Sequence, residues 1–129
     1  MQQTISRFSE GITNGESLQT EIVNKMNERF LKEFMDILIM IKMREGEITG
    51  YDVLTYFHRE FDFLVSAGTV YSILYSMERD GLIEARREDR RRIYSLTPKG
   101  EATVKTIYES TEILENSFTK LLRPKMNTA

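Results

Sequence analysis

The densest chemistry in the chain lies between residues 86 and 99, where Arg86, Arg87, Arg90, Arg91, Arg92 and Lys99 stand against Glu88 and Asp89, in a protein of formal net charge −2. A basic patch therefore sits on an acidic body. Most of its cations are arginines, whose planar guanidinium donates two parallel hydrogen bonds to phosphate oxygens. The competing reading is a solvated hairpin neutralised by Glu84, Glu88 and Asp89, and charge alone leaves both open. A second concentration is Ser66, Gly68, Thr69, Tyr71, Ser72 and Tyr75, a stretch of hydroxyls, aromatics and a glycine with no cation. Such groups suit phosphates and base edges. Small hydroxyls are equally ordinary near a helix start, and the Tyr71 ring could instead seal one helix against its neighbour.

Other chemistries are poorly supplied. There is no cysteine and a single histidine, His58, which removes thiol nucleophiles, disulfides, cysteine-ligated zinc and a histidine pair for a catalytic metal. No phosphate-cradling glycine loop, nucleophile with a base or paired-acid constellation is present. The expectation is no enzyme, no cofactor and no metal. His58, between Phe57 and Arg59, reads as a surface residue, and the seven methionines read as core filling.

The elements that must position the two concentrations follow from periodicity. At 129 residues, 40% hydrophobic and 29% charged, the chain suits one domain with short appendages. Residues 1–16 lack periodicity and read as a flexible arm. Ser17 caps a helix with Leu18, Ile22, Met26 and Phe30 every four residues, and the pattern thickens through Ile41 before Gly46 stops it. Thr49, with Asp52 reaching back, opens a second helix. Ser66 caps a third, ended by Gly81, in which Val70, Ile73, Leu74 and Met77 form an inner face and Gly68, Tyr71, Ser72, Tyr75, Ser76 and Arg79 lie away from it. Leu82–Arg86 and Arg92–Leu96 then read as strands joined by Arg87–Arg91, with an Arg92–Glu84 pair expected across the ribbon. Thr97-Pro98 starts a last helix of about 25 residues. In it Val104, Ile107, Thr111, Leu114, Phe118 and Leu121 repeat as a heptad seam to Pro124.

Three helices followed by a two-stranded ribbon is the plan of a winged helix-turn-helix. The fold expected is thus mainly α with a small β-hairpin. Its divisions are an arm (1–16), a winged-helix DNA-binding domain with an N-terminal helical extension (17–97), a dimerisation helix (98–123) and a flexible tail (124–129). In this plan the third helix enters a groove of double-stranded DNA. Arg86, Arg87, Arg90 and Arg91 grip the backbone as a wing. Ile107, Thr111, Leu114, Phe118 and Leu121 join two copies. The run Phe34–Met43, interrupted by Asp36 and Lys42, is too short for a membrane span, and no basic segment followed by an apolar one opens the chain. The expected setting is cytoplasmic. The rival reading is a winged helix that binds another protein instead of DNA, which the acidic body and uncharged third helix favour.

Four fragments also carry a resemblance. Ile48-Thr49-Gly50-Tyr51-Asp52-Val53-Leu54, Ser66-Ala67-Gly68-Thr69-Val70-Tyr71, Met77-Glu78-Arg79-Asp80-Gly81-Leu82-Ile83 and Arg91-Arg92-Ile93-Tyr94-Ser95-Leu96-Thr97-Pro98-Lys99-Gly100, in this order, resemble the PadR family of transcriptional regulators over residues 30–100. The resemblance implies a homodimeric DNA-binding repressor joined through its C-terminal helix and, in some members, a response to small aromatic or hydrophobic effectors. Ser72 stands where the family often has proline, and no lysine or arginine precedes Arg79 in the third helix. Base preference therefore does not carry over.

Overall fold

The computed structural model describes residues 17–125; the expected arm and the last four positions of the tail lie outside them. Six helices and one antiparallel ribbon follow in order: α1 (Leu18–Glu33), α2 (Met35–Met43), α3 (Gly50–Phe61), α4 (Ala67–Arg79), β1 (Ile83–Glu88), β2 (Arg91–Leu96), α5 (Pro98–Glu109) and α6 (Thr111–Leu122). This is the winged helix-turn-helix plan, with α4 as its third helix.

Capping chemistry sets the starts. Ser17 accepts the Thr20 N–H, Ser66 the Thr69 N–H and Thr97 the Gly100 N–H. At α3, Thr49 and Asp52 satisfy each other's backbone donors in a reciprocal box, so two of the orphan groups of the first turn are filled. Gly81, at φ +77°, ends α4. Its N–H reaches Glu78 O at 3.0 Å and the Leu82 N–H reaches Met77 O at 3.0 Å, the paired bonds of a left-handed glycine stop.

The helix expected from Ser17 to Gly46 divides at Phe34, although Phe34 N–H still reaches Phe30 O and Leu38 N–H reaches Phe34 O. The Asp36 carboxylate accepts the Ile37 N–H at 2.8 Å, diverting that donor from the ladder. The last helix likewise divides at Ser110. There Ser110 Oγ donates to Thr106 O at 2.7 Å and Thr111 Oγ1 to Tyr108 O at 2.8 Å, a back-bonding pattern that bends helices.

The core collects one face of each central element. Ile39 from α2, Val53 and Phe57 from α3, Val70 and Leu74 from α4, Ile83 from β1 and Val104 from α5 are all but sealed from solvent. Ile48 extends the ribbon on the β2 side, exchanging both backbone hydrogen bonds with Tyr94 at 3.1 and 2.8 Å. A latch then fixes the ribbon's base. Thr97 Oγ1 donates to Gly81 O, its N–H donates to Leu82 O, and Lys99 Nζ donates to Asp80 O at 2.8 Å. By contrast, α1 and α6 bury no residue within the chain.

Candidate nucleic-acid interface

The two faces of α4 are cleanly separated. Val70, Leu74 and Met77 are buried, while Gly68, Thr69, Tyr71, Ser72 and Tyr75 are exposed, Tyr75 to 67%. Ser66 is exposed but committed, since its hydroxyl caps the helix and donates to Thr69 Oγ1 at 2.9 Å. A Cβ at Gly68 would approach nothing closer than Ser66 Oγ at 4.0 Å. The backbone is therefore bare there, and a ligand can come close.

Tyr71 combines both roles weighed from sequence. Half of it is exposed, yet a Cβ on Gly50 would lie 2.7 Å from its Cε1, Cζ and hydroxyl oxygen. The ring end thus rests on the first residue of α3, a seat that only glycine permits. Two neighbours are exposed that sequence reasoning gives no part in binding. Tyr51, 72% exposed, follows Gly50, and Leu64, 81% exposed, precedes the Ser66 cap. Helical spacing puts Tyr51 with the apolar face of the second helix and Leu64 in the connection that follows it.

The wing differs from expectation at its tip. Asp89 and Arg90 both have positive φ, 49° and 68°, so a two-residue mirror-image turn replaces the five-residue link and the strands run on to Glu88 and Arg91. This turn matches the twist of a ribbon, but holding non-glycine residues left-handed costs about 1–2 kcal/mol each. Arg90 stands at the apex, and Glu88 and Arg91 form the last pair.

The arginines fall into two groups. Arg86 donates to Glu47 and, at 2.9 Å, to Glu88; these hydrogen bonds, Glu47 first, raise its guanidinium pKa. Arg92 donates through one nitrogen to both carboxylate oxygens of Glu78 on α4, at 2.9 and 3.0 Å, with its guanidinium carbon 5.8 Å from the Tyr94 ring centroid. Its pKa is raised by Tyr94 and then Glu78. The expected Arg92–Glu84 pair does not form. The register sets Glu84 opposite Ser95 and Arg92 opposite Arg87, so alternation sends the two side chains to opposite faces. Arg87, Arg90 and Arg91 make no ion pair among the described residues.

The residues singled out for self-association lie along α5 and α6. Val104 belongs to the core and Ile107 is half-buried, whereas Thr111, Leu114, Phe118 and Leu121 are exposed, Leu121 to 78%. Phe118 meets Phe30 of α1 edge to face at 5.1 Å between centroids. The two uncovered helices therefore touch, and Leu18, Val23, Phe34, Ile113 and Leu122 remain exposed around them.

Comparison with known proteins agrees with this architecture. A family model described as the transcriptional regulator PadR-like family matches residues 37–106. Among solved structures, the chain is similar to a PadR-like transcriptional regulator from Bacillus cereus, with a TM-score of 0.63 at 24% identity over 75% of this chain and 99% of that one. It is similar to a transcriptional regulator from Clostridium thermocellum, with a TM-score of 0.61 at 24% identity over 74% and 96%. Bacillus subtilis PadR, solved in complex with operator DNA, aligns with a TM-score of 0.51 at 24% identity over 56% of this chain and 45% of that one. No curated protein matches the sequence. Because the family model spans more than half of the chain and its matched region holds α3, α4 and the wing, this protein belongs to the PadR-like family of transcriptional regulators.

Proposed function

We propose that this regulator is a cytoplasmic homodimeric repressor of double-stranded operator DNA, with α4 in the major groove and the wing on the backbone. The carrying observation is the wing tip. Arg87, Arg90 and Arg91 make no ion pair among the described residues and stand on the ribbon that Arg92 ties to α4. Thr69, Tyr71, Ser72 and Tyr75 are exposed and carry hydroxyls that suit phosphates and base edges, with Gly68 allowing close approach. Arg86, held by Glu47 and Glu88, supports the ribbon instead. The operator complex of the Bacillus subtilis relative supports the choice of DNA.

Self-association has its own support in the exposed apolar faces of α1 and α6. A two-fold axis through them turns one reading head into two, and a roughly palindromic site with half-sites about one helical turn apart is expected. A small hydrophobic effector would meet Phe30, Leu31, Phe34, Leu38 and Phe61 in a groove of about 740 Å³ whose wall also carries Asn24, Asn27, Glu28 and Asp62. The test is selection of bound duplexes from a random pool. Enrichment of a palindrome with that spacing supports the reading, and a pool that stays random after repeated rounds overturns it.

A further inference from the structure

We infer that the Glu78–Arg92 pair is a positioning device for DNA binding, setting the wing relative to α4, and that Arg92 spends its charge there and not on phosphate. The inference rests on the DNA-binding reading above. Glu78 lies in the last turn of α4, and Arg92 lies on β2 beside the free arginines. Their bond joins the reading helix to the ribbon through side chains, on the tip side of the backbone anchors at Ile48–Tyr94 and Thr97–Leu82. Register places Arg92 directly across from Arg87, on the face that Tyr94 also occupies. On that face Glu78 supplies the anion, while Glu47 and Glu88 serve Arg86 on the other.

A ribbon of two strands has little stiffness of its own. Without the pair its tip must be ordered at the moment of binding, and ordering costs affinity. The consequence has a sign that simple electrostatics does not give. Removing the Glu78 carboxylate takes a negative charge away from a surface that approaches phosphates, which by long-range attraction alone should tighten binding. If the pair positions the wing, Glu78→Gln weakens binding, roughly three- to tenfold, as expected for a coupled pair.

The experiment measures duplex binding for the full-length protein and for Glu78→Gln, Arg92→Gln, Arg92→Glu and the exchanged double variant Glu78→Arg/Arg92→Glu, each over a salt series. Thermal unfolding of each is recorded at one protein concentration. The expected results are weaker binding for each single variant, recovery in the exchanged one, and a salt slope for Arg92→Gln equal to that of the parent, since no phosphate contact is lost. Equal or tighter binding by Glu78→Gln overturns the inference, as does an Arg92→Gln slope reduced by about one unit or a double variant no better than the singles. Failure of the parent protein itself to bind duplex overturns the DNA reading instead, so the two failures are distinct.

Discussion

Gly100→Ala should unfold the protein more readily even though alanine is the better helix former. Gly100 is the third residue of α5, and the exchange is worth about 1 kcal/mol in favour of alanine by propensity. Against this, the new Cβ would lie 2.1 Å from the Leu82 carbonyl oxygen and 3.0 Å from Leu96 Cδ2. The first contact is with backbone and cannot be relieved by a rotamer change. Leu82 O accepts the Thr97 N–H at 3.1 Å and, at 3.1 Å, a share of the Thr97 hydroxyl proton that Gly81 O holds at 2.6 Å. Moving it by the required ångström or so loses one hydrogen bond and the weaker branch of a shared one, about 1–2 kcal/mol together, and risks an unsatisfied carbonyl at about 1–3 kcal/mol more. The net expectation is a loss of about 3 kcal/mol, near 10 °C in melting temperature for a chain of this size. The matched control is Gly68→Ala in α4, where a Cβ meets nothing closer than 4.0 Å. There alanine should raise stability by about 0.5–1 kcal/mol. Urea and thermal unfolding at fixed protein concentration read both variants. A Gly100→Ala protein as stable as the parent would refute the claim that this glycine is where α5 and the base of the ribbon interlock.

Three further outcomes follow from the same structure. Leu114→Asp should dissociate the proposed dimer: burying the exposed half of each leucine is worth about 1 kcal/mol per copy, and two carboxylates resist burial, so Kd rises by about 100-fold or more; sedimentation unchanged by the variant would exclude α6 from the interface. Gly50→Ala drives a Cβ into the Tyr71 ring end, a flexible neighbour that can swing away, so duplex binding should fall while unfolding changes by less than about 1 kcal/mol; unchanged binding would show that the Tyr71 seat has no part in recognition. Burial raises the Tyr56 phenol pKa above its ordinary value of 10.0, with Lys42 opposing. The folded protein then keeps a proton that the unfolded chain has lost, and stability present below about pH 10 declines as pH rises above it. Tyr56→Phe should flatten that alkaline decline in urea midpoints, and an unaltered decline would assign it to other groups.

The order of elements was legible because its signals are local. Thr49 with Asp52, Ser66, Gly81 and Thr97-Pro98 each act within a few residues of themselves, and the buried face of α4 needs only helical spacing. The wing tip was not, because the mirror-image turn usually carries glycine or asparagine and here carries Asp89-Arg90. A longer loop was the natural inference. Glu78 as the partner of Arg92 was hidden for a different reason. Cross-strand register can be guessed from alternation, but the angle at which α4 meets the ribbon is tertiary, and it decides which carboxylate is in reach. The same holds for Tyr71 on Gly50, where two motifs that look independent in sequence are the two halves of one contact. The breaks at Phe34 and Ser110 come from side chains competing for backbone partners, a contest that apolar periodicity does not register.

The most direct test of the central claim is the salt dependence of duplex DNA binding by the parent protein and by a variant with Arg87, Arg90 and Arg91 all changed to alanine. If these three arginines, which form no ion pair among the described residues, meet phosphates, the parent binds at low salt and loses affinity steeply as salt rises. The slope of log K against log salt should then shrink by about three units in the variant. A parent that binds no duplex at low salt, or a variant with the parent's slope, would contradict it.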